Sequence, residues 1–145
     1  MKKWVLVFGL LFGSALAIDN VSVAANAGYA NGFAGGLEAS WDCILFQPKK
    51  GALRPTLDLG YGAGGFQAAF AMRHMFDVAE GVKVGGGVGV RYQGGVQAYL
   101  RGDAEYDLAD LVNLPLFVGG DLGYAYGFAG APSAVVAQFK AGYRF

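Results

Sequence analysis

Two runs, Val96-Gln97-Ala98-Tyr99-Leu100-Arg101-Gly102-Asp103-Ala104-Glu105-Tyr106 and Leu116-Phe117-Val118-Gly119-Gly120-Asp121-Leu122-Gly123-Tyr124-Ala125-Tyr126, decide how the chain is read. In the first, Val96, Ala98, Leu100, Gly102, Ala104 and Tyr106 share one face. Gln97, Tyr99, Arg101, Asp103 and Glu105 share the other. A period of two with unlike faces marks a β-strand. A soluble antiparallel sheet shows the same alternation, so the fold depends on which face meets the outside.

The same pattern extends outward from this pair. Alternating runs cover residues 21–29, 33–42, 56–62, 66–76, 82–92, 96–106, 116–126 and 135–145. Short turn signals join most of them: Asn31-Gly32, Gly64-Gly65 and Gln93-Gly94-Gly95, with a Gly/Pro loop over 127–133. Asn-Gly is the strongest short hairpin signal. Residues 44–55 read as a loop containing Pro48-Lys49-Lys50-Gly51, with Pro55 opening the next strand. Residues 77–81 read as a connection, and 107–115 fit a helical turn. Eight runs predict an all-β fold, an eight-stranded antiparallel up-and-down barrel.

The 145 residues suffice for one domain. Met1-Lys2-Lys3, the apolar run 4–12 and the small-x-small site Ala15-Leu16-Ala17 predict a secretory signal peptide over 1–17, cut after Ala17. The apolar run is short for a membrane-spanning helix, which needs about 20 residues. The barrel domain is then 18–145, exported through Sec. Without Lys2 and Lys3, nine basic residues face eleven acidic ones, a net charge of about −2 that offers nothing to nucleic acid. Cys43, the lone cysteine, has no partner for an internal disulfide and reads as a small apolar residue at a strand end. After the leader there is no long apolar run, which excludes a helical membrane protein but not a barrel.

Three features place the charged face inside. Gly28, Gly60, Gly62, Gly85, Gly87, Gly89, Gly119, Gly123 and Gly142 fall on it; a solvated exterior has no need of such small residues, whereas the interior of a narrow barrel is crowded. Aromatic residues gather at the run ends. Tyr29, Phe33, Tyr61, Phe66, Tyr92, Tyr124 and Tyr126 form one rim, and Trp41, Phe76, Tyr106 and Phe145 the other, as in the two girdles of a lipid-facing wall. Finally, the charged face is balanced: Glu38, Asp42, Asp58, Asp103, Glu105 and Asp121 oppose Arg73, Lys83, Arg91, Arg101, Lys140 and Arg144. Buried charges must pair. The expected lumen network is Glu38, Asp58, Lys83, Arg91, Arg101, Asp103, Glu105, Asp121, Lys140 and Arg144. Counted in height along the strands, Lys83 falls level with Glu105, and Arg101 with Asp121 and Lys140.

These runs, the leader and the ending Phe139-Lys140-Ala141-Gly142-Tyr143-Arg144-Phe145 resemble small bacterial outer-membrane barrels of the OmpA-domain, OmpX and OmpW kind. The resemblance implies that Phe139, Tyr143 and Phe145 form a C-terminal signal read by the barrel assembly machinery. The partners expected are that machinery and outer-membrane lipids, with the chain a monomer in the cell outer membrane. One departure stands out. Such barrels carry long outer loops, whereas here the connections opposite the termini are short, which argues against an adhesin or receptor role.

The residues offer little chemistry. His74, the only histidine, falls on the apolar face beside Met72 and Phe76, and Ser22, Ser40 and Ser133 have no histidine on their face. Asp103 and Glu105 lie near Lys83 and Arg101, as in a salt-bridge network rather than a general acid/base pair. One His and one Cys make no transition-metal set, and Gly85-Gly86-Gly87 lies inside a run, not in a phosphate loop. The expectation is a non-enzymatic barrel without cofactor, with a structural role and a closed polar interior. A small solute or ion pore is the first alternative, and a soluble periplasmic barrel holding an apolar ligand the second.

Overall fold

The computed structural model describes residues 18–43 and 48–145. The leader, its cleavage after Ala17 and residues 44–47 lie outside them. Eight strands follow one another: β1 (Ile18–Ala30), β2 (Phe33–Cys43), β3 (Ala52–Gly62), β4 (Gly65–Ala79), β5 (Val82–Tyr92), β6 (Val96–Asp107), β7 (Leu116–Gly127) and β8 (Ala134–Arg144). Each pairs antiparallel with the next, and β8 pairs with β1 to close the barrel. Among the described residues one helical turn, α1 (Ala109–Val112), interrupts the strands. No described helix is long and apolar enough to cross a membrane.

The turns follow their residues. Asn31 and Gly32 both take positive φ, 55° and 131°, as a two-residue hairpin of the twist-matched kind requires. In α1 no side chain caps from position 108. Instead the Asp107 carboxylate accepts the Ala109 N–H at 3.1 Å, and Asn113 in the left-handed region ends the turn.

Three strands, β1, β3 and β4, are each four residues longer than the sequence pattern predicts. β3 starts at Ala52, not at residue 56, so Pro55 lies within the strand, registered with Met72. The β2–β3 register ends at the Ser40–Thr56 pair, so on that side Pro55 removes no ladder bond. β4 runs on to Ala79 through an irregularity between Asp77 and Ala79, which confines the turn to Glu80 and Gly81.

The strands are staggered. Crossing the registered partners of Ser22 leads to Ser40, Thr56, Ala71, Gly89, Tyr99, Ala125 and Ala134. The β8–β1 register then continues to position 32, ten residues past the start at 22. A stagger of this size tilts the strands by roughly 35–45° from the barrel axis.

The faces divide as the alternation requires. Leu37, Leu59, Val88, Leu100, Leu122, Val135 and Phe139 are exposed on the outer wall, Phe139 at 82%. Buried inside are Ser22, Asn26, Glu38, Arg73, Gln97, Arg101 and Lys140, among others. The barrel is polar within and apolar without, the reverse of what a soluble barrel around an apolar ligand requires. Glycine explains how the interior closes up. At all nine glycines expected on the inner face, an added Cβ would come closer than 3.0 Å to the neighbouring strand. Outward Gly102 meets nothing nearer than 3.9 Å.

Candidate functional site: the charged layer of the lumen

The inward side chains of six strands meet in one layer. Four bases and four acids, none with its side chain more than 2% exposed, form its centre: Arg54, Arg73, Arg101 and Lys140 with Glu38, Asp103, Glu105 and Asp121. Arg73 on β4 reaches Asp103 on β6 at 2.8 Å and Glu38 on β2 at 3.0 Å, and its Nε donates to Thr56 at 2.6 Å. Arg101 on β6 reaches Glu38 at 3.1 Å, Asp58 on β3 at 2.9 Å, Asp103 at 2.8 Å and Asp121 on β7 at 2.9 Å. Lys140 on β8 lies 3.1 Å from Glu38, 3.3 Å from Asp103 and 3.0 Å from Glu105. These bonds run across the lumen as well as around the wall. Guanidinium groups suit the task, because their planar forks engage several carboxylates at once.

On the side of the layer towards both termini, Arg54 pairs with Asp42 at 2.8 Å as well as with Glu105 at 3.0 Å. Arg144 pairs with Glu105 and Asp107, both at 2.7 Å, and lies 4.7 Å from the centre of the Phe117 ring. Above the layer the lining is mostly uncharged. Gln93 Nε2 donates to the Ala30 carbonyl at 3.0 Å and Gln97 Nε2 to the Pro132 carbonyl at 2.5 Å, tying the outer connections inward. Between these bonds and the layer lies a cavity of about 20 Å³, lined by Asn26, Asp58, Gln67, Arg91 and Tyr99 among others, room for about one water molecule.

Several expected positions need correcting. Lys83 is registered beside Glu105 but pairs with Asp77 at 3.4 Å, partly exposed at the rim. Arg91 is buried and bonds the amide oxygens of Gln67 and Gln97 at 2.5 and 3.1 Å, with no carboxylate partner among the described residues. Lys140 is not level with Asp121: its β7 register partner is Gly119, and Asp121 faces Gln138. Height counted along each strand ignores the stagger, and that produced the error. Arg54 was missed altogether because 44–55 read as loop, and Arg73 was counted on the charged face but left out of the network.

The remaining expected residues are placed as follows. Tyr29, Phe33, Tyr61, Phe66, Tyr92, Tyr124 and Tyr126 are exposed on the outer wall, as are Phe76, Tyr106 and Phe145, while Trp41 is half-buried. Phe139 and Tyr143 are exposed along β8, and the Tyr143 and Phe145 rings sit 4.8 Å apart. His74 Nε2 lies 2.8 Å from the Lys50 carbonyl oxygen and its ring packs on Phe76. Ser22 and Ser40 bond each other at 2.7 Å on the inner face, away from that histidine. Among the described residues no cluster suited to a metal ion is found.

No family model and no curated protein sequence matches the chain. Solved structures do. The N-terminal β-barrel domain of Pseudomonas aeruginosa OprF superposes with a TM-score of 0.63 at 13% identity, covering 87% of this chain and 97% of that one. The de novo designed barrel TMB2.3 gives 0.62 at 11% identity, covering 89% and 96%. The outer membrane enzyme PagL gives 0.56 at 19% identity, covering 86% and 98%. In fold, the chain is a closed eight-stranded antiparallel β-barrel of the kind seen in small outer-membrane proteins.

Proposed function

We propose that the protein is an integral outer-membrane β-barrel with a structural role and a lumen closed by paired charges, and that it is not an enzyme. The observation that carries this reading is the buried layer, in which Glu38, Asp103, Glu105 and Asp121 are ion-paired across the barrel to Arg54, Arg73, Arg101 and Lys140. Such pairs leave no aqueous path where they meet, and eight-stranded barrels are filled by their side chains. The exposed apolar wall calls for lipid around it. Both termini then face the periplasm, with Phe139, Tyr143 and Phe145 available to the barrel assembly machinery. The likeness to PagL means that this fold is compatible with catalysis. What supports the non-enzymatic reading is where the polar side chains are engaged: His74 is bonded to the Lys50 carbonyl outside the barrel, Ser22 and Ser40 bond each other on the inner face, and the inward carboxylates are held in ion pairs.

The test is conductance of the refolded protein in planar lipid bilayers, with carbonate extraction of envelopes alongside. A silent bilayer with protein retained in the membrane pellet supports the reading. A steady ohmic conductance overturns the closed lumen, and release by carbonate without detergent overturns the membrane barrel.

A further inference from the structure

We infer that the β6–β7 connection is an anchor in the membrane interface, with Leu108, Leu111, Val112 and Leu114 set in the boundary between phospholipid headgroups and acyl chains. The inference rests on the outer-membrane reading above.

The connection is tied down along its length. Asp107 N–H donates to the Gly81 carbonyl at 2.7 Å and Leu108 N–H to the Leu116 carbonyl at 2.8 Å. Arg144 N–H donates to the Pro115 carbonyl at 2.8 Å, and its guanidinium pairs with Asp107. Within the turn, the Leu111 and Val112 N–H groups both donate to the Leu108 carbonyl, at 2.9 and 3.1 Å. The segment is therefore held in a fixed position, and its apolar side chains still find no cover. Leu111 is 67% exposed, Val112 46% and Leu114 52%, and no residue of α1 is buried.

Their arrangement indicates where they face. Leu108, Leu111 and Val112 stand at i, i+3 and i+4, one side of a helical turn, with Asp110 outside that set. Leu108 also belongs to the outer wall. With Val23, Leu116, Val118, Ala141 and Tyr143 it lines an outward-opening hollow of about 360 Å³. The apolar side of the turn is thus continuous with the surface that meets lipid. Tyr106, exposed at the rim only two residues earlier, marks the interface level. Asp107 is neutralised by Arg144, so attraction is through apolar burial rather than charge, and zwitterionic lipid suffices.

The experiment places an environment-sensitive fluorophore at single cysteines introduced by Leu111→Cys, Asp110→Cys and Leu122→Cys in a Cys43→Ala background. Each protein is refolded into phosphatidylcholine vesicles and accepted only if its unboiled and boiled forms migrate differently. The label at 122 reports the wall, that at 111 the proposed anchor, and that at 110 the polar side. Doxyl lipids labelled near the headgroup should quench 111, at a depth of roughly 5–10 Å, whereas doxyl groups near the acyl terminus should quench 122. Iodide should quench 110 and lose its effect at 111. Equal iodide quenching at 110 and 111, with 122 shielded, overturns the anchor and leaves the barrel reading standing. So does shielding of 111 that appears only at high protein-to-lipid ratio, because a second copy then covers the patch. Iodide quenching at 122 itself overturns both.

Discussion

Lys140 on β8 and Glu38 on β2 lie 102 residues apart in the chain and meet at 3.1 Å, with β1 running between their strands. Glu38 also receives Arg73 at 3.0 Å and Arg101 at 3.1 Å. One carboxylate thus serves three buried cations contributed by three different strands.

Glu38→Ala takes one carboxylate from each of those cations and leaves them to share Asp58, Asp103, Glu105 and Asp121. Breaking a buried pair costs about 3–5 kcal/mol, and here more than one pair is lost. The free energy of urea unfolding in detergent should fall by an amount of that order, and the midpoint with it. The readout is the fraction of protein running in the fast, unboiled position on gels. A midpoint equal to that of the unaltered protein contradicts the layer as drawn.

The two lysines expected in the network should separate. Lys140→Ala removes a fully buried ammonium that touches Glu38, Asp103 and Glu105, with a cost of about 3–5 kcal/mol. Lys83→Ala removes the partly exposed partner of Asp77, worth about 0–1 kcal/mol. Raising the salt concentration should erode only the small second contribution, because exposed pairs are screened and buried ones much less so.

Glycines on opposite faces should respond differently. Gly89→Ala drives a Cβ into the Phe70 carbonyl on β4, while Gly102→Ala meets nothing nearer than 3.9 Å. Overpacking costs about 1–3 kcal/mol, so refolding yield into detergent should drop for Gly89→Ala. For Gly102→Ala, yield should equal that of the unaltered protein or exceed it.

Charge on the outer wall should be penalised by depth. Leu122→Arg, near the middle of β7, should cost about 2–4 kcal/mol, and Tyr126→Arg, near its end, about 0–1 kcal/mol. Equilibrium unfolding from lipid vesicles measures both. Equal costs at the two positions place the wall in water instead.

The alternation at 96–126 was enough to assign faces, because a period of two is local and belongs to each strand alone. Glycine placement oriented those faces for the same reason: crowding acts on every inward Cβ. Which charges meet was not legible. Ion pairs depend on register between strands, and the stagger carries Lys140 away from Asp121 towards Glu38 and Glu105. Arg54 was hidden because Pro55 resembles a strand opening, while the strand in fact begins at Ala52, where the missing N–H at 55 lies beyond the β2–β3 register. Arg91 misled by its charge, since its partners are amides that carry none.

The order of the chain gives β8 a particular part in assembly. In the buried layer Glu38, Asp58, Asp103, Glu105 and Asp121 all arrive before residue 134, but of their cationic partners only Arg54, Arg73 and Arg101 do. With Asp42 and Asp107, which pair with Arg54 and Arg144, a sheet of seven strands holds more carboxylates than these three cations can neutralise. Lys140 and Arg144 add two further cations from the same strand whose backbone joins β1 and β7. The strand that closes the hydrogen-bonded ring is thus also the one that brings these two cations to the interior, so truncation before β8 removes both contributions together.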